Sequence, residues 1–202
     1  MPDFLLERSV TGPVAGVDEA GRGPWAGPVV AAAAILPDDL SRGLSCRLDD
    51  SKKLKGKVRE ALLVEIEPIA QLGVGIATPE EIDALNILHA TMLAMRRAVD
   101  ALPFCPATAL VDGNRAPDLD CKVMTVVKGD GHSFSIAAAS IVAKVTRDRM
   151  MSDLAERYPG YGWERNAGYG TKEHREAISR LGVTPAHRRS FAPIREALTR
   201  YG

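Results

Sequence analysis

Three times in this 202-residue sequence a short apolar run leads into an acidic residue and then to glycine. Val14-Ala15-Gly16-Val17 leads into Asp18-Glu19-Ala20-Gly21-Arg22-Gly23. Ala109-Leu110-Val111 leads into Asp112-Gly113, and Val126-Val127-Lys128-Gly129 into Asp130-Gly131. Short apolar runs bounded by turn residues read as buried strands. A carboxylate at the end of such a strand is costly, because burial disfavours its charged form and a like-charged neighbour adds repulsion. In an open α/β sheet, ligands bind outside strand ends that share one edge. The recurrence therefore favours a fold that carries these acids to a common edge.

The rest of the pattern agrees with such a sheet. Val14 to Asp18 and Gly27 to Leu36 read as two strands of an antiparallel hairpin joined by a glycine-rich link. Pro37 to Ser51 reads as a surface loop, and Leu54 to Ala70 as a helix ending near Pro68. Leu72 to Ala77 is a third strand. Thr78-Pro79-Glu80-Glu81 forms a capping box with proline at the first helical position, and predicts a helix to about Leu102. Ala107 to Val111 and Val123 to Val127 are further strands. Ser133 to Arg157 is a long helix whose Ala137-Ala138-Ala139 permits close packing on a sheet. Gly160 to Gly170 is irregular, Thr171 caps a helix to about Leu181, and a last helix starts near Pro193. Interleaved strands and helices predict one α/β domain over 1–202, with a mixed β-sheet flanked by helices. Residues from about 158 to 202 are expected to form a small C-terminal helical annex.

Composition removes several functional classes. The 26 basic and 26 acidic side chains balance, which argues against a generic polyanion binder but leaves room for a local basic groove. Cys46, Cys105 and Cys121 are odd in number, widely spaced and without a C-x-x-C pair, so they read as free thiols in a reducing compartment. The four histidines, His89, His132, His174 and His187, lack metal-ligand spacing. No apolar run is long enough to span a bilayer. No basic-then-apolar leader opens the chain. A soluble, cytoplasmic, monomeric protein is expected.

Taken alone, Asp18-Glu19 followed by glycine describes a solvated turn. Strand alternation would also send the two acids to opposite faces, unless the strand ends or bends there. The three strand-end acids change that reading. Asp18, Glu19, Asp112 and Asp130 together could hold two divalent cations about 4 Å apart, an arrangement that steadies the attacking and leaving oxygens of phosphoryl transfer. Asp148, between Arg147 and Arg149, is the rival for the fourth position and reads as an ion-pair residue.

Gly16-Val17-Asp18-Glu19-Ala20-Gly21-Arg22-Gly23-Pro24, with Ala26-Gly27-Pro28-Val29-Val30, resembles the opening signature of bacterial ribonuclease HII. The resemblance continues in order through Asp50-Ser51-Lys52-Lys53-Leu54, Asn86-Ile87-Leu88, Val111-Asp112-Gly113-Asn114, Lys128-Gly129-Asp130 and Ser135 to Lys144. Gly168-Tyr169, Thr171, His174 and His187-Arg188-Arg189-Ser190-Phe191 complete it. It implies a ribonuclease-H-like fold and a metal-dependent endonuclease using Mg²⁺ or Mn²⁺. The implied substrates are the RNA strand of RNA–DNA hybrids and duplex DNA containing ribonucleotides. Asp18, Glu19, Asp112 and Asp130 match the family's metal-binding acids. Gly21, Arg22 and Gly23 match the loop that senses the ribose 2′-hydroxyl, and Tyr169 matches the tyrosine that assists it. Ribonuclease HIII, the sister family, usually carries lysine at the position of Arg22. Trp25 departs from the small aliphatic residue expected there, which places the rim of the loop in question.

A 2′-hydroxyl both donates and accepts hydrogen bonds and separates RNA from DNA at one site. An open glycine loop offers it main-chain groups. Ser51, Lys52 and Lys53 open a predicted helix, where N–H groups and cations suit a phosphate, although a solvated charge run is an equal reading. Lys144, Lys172, Arg188 and Arg189 are further candidates for backbone contact, whereas Asn86, His174 and Ser140 read as structural. Two competing classes are weaker. The Gly21-Arg22-Gly23 spacing fails the dinucleotide fingerprint, and a strand follows it rather than a helix. A silent binding module would have no need of four acids.

Overall fold

The computed structural model describes residues 2–48, 51 and 54–201. Five strands, β1 (Val14–Ala20), β2 (Val29–Ile35), β3 (Gln71–Ala77), β4 (Thr108–Asp112) and β5 (Lys122–Val126), form one sheet in the order β3-β2-β1-β4-β5. β2 is antiparallel to both β1 and β3, while β1, β4 and β5 run parallel. The parallel trio carries Asp18, Asp112 and the turn bearing Asp130 to one edge, as the strand-end pattern requires. Strand β1 continues two residues past the expected end at Asp18, and Glu19 pairs in register with Ala31 of β2.

The helices are α1 (Leu5–Arg8), α2 (Arg42–Ser45), α3 (Gly56–Ile66), α4 (Pro79–Asp100), α5 (Phe134–Arg157), α6 (Trp163–Asn166), α7 (Lys172–Leu181) and α8 (Ala192–Tyr201). On one face of the sheet, α5 and α3 bury Ala32, Ala34, Leu62, Ile66 and Ala137 to Ala139. On the other, α4 buries Ala15, Val17, Ala31, Ala33, Ala94 and Met95. Each buried Leu or Ile here contributes about 1.5–3 kcal/mol by leaving water, while the alanines let α5 and β1 pack closely. A third cluster, including Ala26, Met151, Trp163, Ile178 and Ile194, fastens α6 to α8 against the end of α5.

The capping box forms as predicted: Glu81 N–H donates to Thr78 Oγ1 at 3.3 Å, and Thr78 N–H to Glu81 Oε2 at 2.9 Å. Three local expectations change. The segment read as a plain surface loop contains α2, capped by the Ser41 hydroxyl. Helix α3 starts at Gly56, so Ser51 lies in a turn ahead of it and not at a helix N-terminus. Helix α4 is interrupted at Asn86, whose φ of 68° and ψ of 164° are not helical. The Asn86 carboxamide restarts the helix by accepting from Leu88 N–H at 3.0 Å and His89 N–H at 3.2 Å, an N-cap inside a longer run.

Candidate active site

Asp18 is 2 % exposed and sits on the central strand. Its Oδ1 accepts the Glu19 N–H at 2.7 Å, and its Oδ2 is buried without a hydrogen-bond partner. Burial, then the charges of Glu19 and Asp112, push its pKa well above the ordinary carboxylate value, against weaker opposition from Ser140 and the Glu19 N–H. Asp18 therefore feels the charges of two of the other three expected acids. Alternation does send Asp18 and Glu19 to opposite faces. However, pairing between β1 and β4 stops at Val17 and Val111, so on the β4 side both acids lie just beyond the ladder, while β1 stays paired with β2 through Ala20.

Asp112 Oδ1 accepts the Gly129 N–H at 2.7 Å. That bond ties β4 to the 3₁₀ turn Gly129–Gly131, in which Asp130 is buried. The N-terminal segment steadies the far side of this turn. Glu7 Oε1 accepts from Ser133 Oγ at 2.6 Å and Ser135 N–H at 2.9 Å. Among the described residues, no three Asp, Glu, His or Cys side chains are gathered closely enough to hold one ion as they stand. The carboxylates nevertheless suit a hard cation, which takes oxygen ligands and would remove the cost of the unpartnered Asp18 Oδ2.

Asp148 is the ion-pair residue its flanking arginines suggest. It pairs with Lys144 one helical turn away and with Arg59 at 3.3 Å. Arg59 also donates to the carbonyl of Ser51 at 2.9 Å. Ser51 is buried, and its hydroxyl lies 2.7 Å from that of Ser140.

Beside the acids lies a cleft of about 190 Å³ lined by Glu19, Ala20, Gly21, Arg22, Gly23, Ser51, Lys144, Arg147 and Tyr169. It gathers Gly21, Arg22, Gly23, Ser51, Lys144 and Tyr169 of the expected substrate residues, whereas Lys172, Arg188 and Arg189 do not line it; Lys52 and Lys53 lie outside the described residues. Gly21 has φ of 98°, and a Cβ there would meet Arg147 Nε at 1.9 Å. A Cβ on Gly23 would lie 3.3 Å from the Tyr169 ring. Tyr169 is 50 % exposed and borders the cleft. Arg22 pairs with Glu19 at 3.3 Å and is half exposed, a contact worth about 0.2–1 kcal/mol.

Sequence reasoning misses what holds this loop. Arg188, expected to contact nucleic acid, is fully buried. Its guanidinium donates to the carbonyls of Gly21 at 2.6 Å, Arg22 at 3.0 Å, Gly27 at 2.9 Å and Pro28 at 3.1 Å. Arg147 donates to the carbonyls of Pro28, Ala26 and Ala167. Burial lowers both pKa values, Arg147 to about 10 and Arg188 to about 9, the latter with help from the Arg147 charge. One signal was available: Ala143, Arg147 and Met151 share the inward stripe of α5 at four-residue spacing. Trp25 does not form the rim of the cleft. It packs where a Cβ on Gly170 would intrude, with the Arg175 guanidinium 5.6 Å from its ring centre.

A mixed sheet with helices on both faces and carboxylates at one strand edge defines a ribonuclease-H-like protein. The crystal structure of the ribonuclease H2 from Pyrococcus horikoshii OT3 superimposes with a TM-score of 0.78 and 30 % identity, covering 94 % of this chain and 98 % of that one. The family model for Ribonuclease HII matches residues 15–194, and the chain belongs to that family. The ribonuclease HII of Paramagnetospirillum magneticum is 63 % identical over 195 residues, covering 96 % of this chain and 97 % of its own length. That of Rhodospirillum rubrum is 58 % identical over 205 residues, covering 99 % and 93 %.

Proposed function

We propose that this chain is an endoribonuclease that hydrolyses the RNA strand of RNA–DNA hybrids and incises on the 5′ side of ribonucleotides embedded in duplex DNA. It acts as a monomer, with residues from about 158 onward serving as a helical annex to one catalytic domain. The observation that carries this reading is the meeting of two features at one sheet edge. Asp18, pressed by Glu19 and Asp112, keeps a buried unpartnered oxygen. Next to it the glycine loop and Tyr169 border a cleft.

Asp18, Glu19, Asp112 and Asp130 would hold two divalent cations, Mg²⁺ or Mn²⁺, which supply Lewis acidity and a well-ionised nucleophile when bound. The residues of the chain do the rest. Gly21, Arg22 and Gly23 present main-chain groups to the 2′-hydroxyl, and Tyr169 offers a ring to the sugar and a hydroxyl to hydrogen-bond. Ser51, Lys52, Lys53 and Lys144 would contact the phosphodiester backbone. Water attacks in line, the 3′-oxygen leaves, and 3′-hydroxyl and 5′-phosphate ends result.

Incubation of the full chain with Mg²⁺ and an end-labelled duplex containing one ribonucleotide tests this. A single cut with those ends is expected, abolished by excess EDTA and absent on all-DNA duplex. A 2′,3′-cyclic phosphate, or full cleavage in EDTA, would refute the mechanism.

A further inference from the structure

Behind Tyr169 lie two histidines outside the acidic centre, His174 and His187, exposed by 0 % and 1 %. Their backbone partners assign one nitrogen of each ring. The Tyr169 carbonyl oxygen can only accept, so His174 Nδ1, 3.0 Å away, carries a hydrogen. Trp163 Nε1–H donates to His174 Nε2 at 3.1 Å, which makes that nitrogen the acceptor and the ring neutral. His187 Nδ1 accepts the Thr184 N–H at 2.9 Å. A neutral His187 therefore carries its hydrogen on Nε2, which lies 3.1 Å from His174 Nε2 and shares that nitrogen's single lone pair with the Trp163 Nε1–H in a three-centre bond. Burial supports neutrality by lowering both pKa values, His187 to about 3 with the His174 neighbour adding to the effect. The result is a directional chain from Thr184 through His187 and His174 to the Tyr169 carbonyl.

The other end of this chain is tied to the opposite wall of the cleft. His187 bridges Ala26, Gly27 N–H donates to the Ala186 carbonyl at 2.8 Å, and Arg188 N–H donates to the Trp25 carbonyl at 2.8 Å. The next side chain, Arg188, grips the carbonyls of Gly21 and Arg22. Adjacent residues thus hold the two walls between which Gly23 and Tyr169 come together.

We propose that His187 and His174 are positioning residues for ribose recognition, fixing Tyr169 relative to the glycine loop that Arg188 holds. This rests on the reading of Tyr169 as a substrate residue. Small misplacement of a group that orients the reacting bond lowers turnover without removing any substrate contact. The side chains that replace histidine can separate the roles. The amide nitrogen of Asn stands near histidine Nδ1 and can still donate to the Tyr169 carbonyl, whereas that of Gln stands near Nε2 and cannot.

The test uses the full chain with Mg²⁺ and a single-ribonucleotide duplex, measuring kcat and KM, with thermal melts. His174→Gln is expected to lose about tenfold in kcat/KM, mainly in kcat, the scale of one lost buried hydrogen bond. His174→Asn is expected to recover most of that loss. In a Tyr169→Ala background the His174→Gln change should add less than about twofold, because the residue it positions is gone. Equal activity of His174→Asn and His174→Gln, or a His174→Gln loss that multiplies fully with that of Tyr169→Ala, overturns the inference while leaving the Tyr169 reading intact. A folded Tyr169→Ala protein cleaving at the wild-type rate removes that reading, and the inference with it.

Discussion

A buried carboxylate beside two others resists ionisation unless something positive faces it. Asp18 is in that position, so its replacement separates stability from catalysis. Asp18→Asn removes like-charge repulsion and should leave the protein in EDTA equally or more stable by thermal melt. Turnover should fall by about a hundredfold or more, as expected when a group stabilising transition-state charge is lost. Asp112→Asn and Asp130→Asn should behave alike in turnover. Asp148→Asn should stay active, because Asp148 is committed to Lys144 and Arg59. An inactive Asp148→Asn with a fully active Asp130→Asn would mean that the fourth acid is misassigned. Tyr169 makes a second residue-scale case. Stacking on an aromatic is worth about 1–3 kcal/mol, so Tyr169→Ala should cost roughly ten- to a hundredfold in kcat/KM on a single-ribonucleotide duplex. Tyr169→Phe should lose only the share of the hydroxyl, and equal losses in both variants would show that the ring contributes nothing.

Elements differ in how openly the sequence declares them. The capping box of α4 is legible because Thr78 and Glu81 are three residues apart and satisfy each other. The break in the same helix is not, since the apolar periodicity runs through Asn86 and hides a second N-cap. Asn86 sits where φ and ψ are ordinarily tolerated only by glycine, at a cost of order 1–3 kcal/mol, while its side chain caps two N–H groups. The two effects can be pulled apart. Asn86→Ala keeps the strain and loses the cap, so it should destabilise by about 1 kcal/mol. Asn86→Gly relieves the strain and loses only a few tenths of the capping energy, so it should be neutral or stabilising. Urea midpoints of the two variants decide the matter, and a Gly variant less stable than the Ala variant would contradict it.

At the scale of the whole molecule, legibility falls with sequence separation. The strand-end acids announce themselves because each carries its own local pattern. Arg188 does not, because the Gly27 and Pro28 carbonyls it binds lie 161 and 160 residues away and a lone arginine reads as surface. His174 and His187 lie only 13 residues apart, yet nothing in their spacing shows that they meet. Those buried groups set how the folded state responds to acid. His187 has an ordinary value of 6.5 when unfolded and about 3 when folded. Between these values the unfolded chain binds a proton that the folded chain refuses, so stability falls as pH drops below 6.5 and stops falling near 3. His174 is lowered too and acts in the same direction. Asp18 opposes them: its raised pKa lets the folded chain hold a proton above 3.8, so its contribution worsens as pH rises past that value. Urea unfolding in EDTA from pH 4.5 to 7.5 should therefore show stability rising with pH toward 6.5, at up to about 1.4 kcal/mol per pH unit for each proton. His187→Gln should flatten that rise. Asp18→Asn should steepen it and raise the plateau. A His187→Gln protein with the wild-type slope would show that His187 is not held neutral in the folded state.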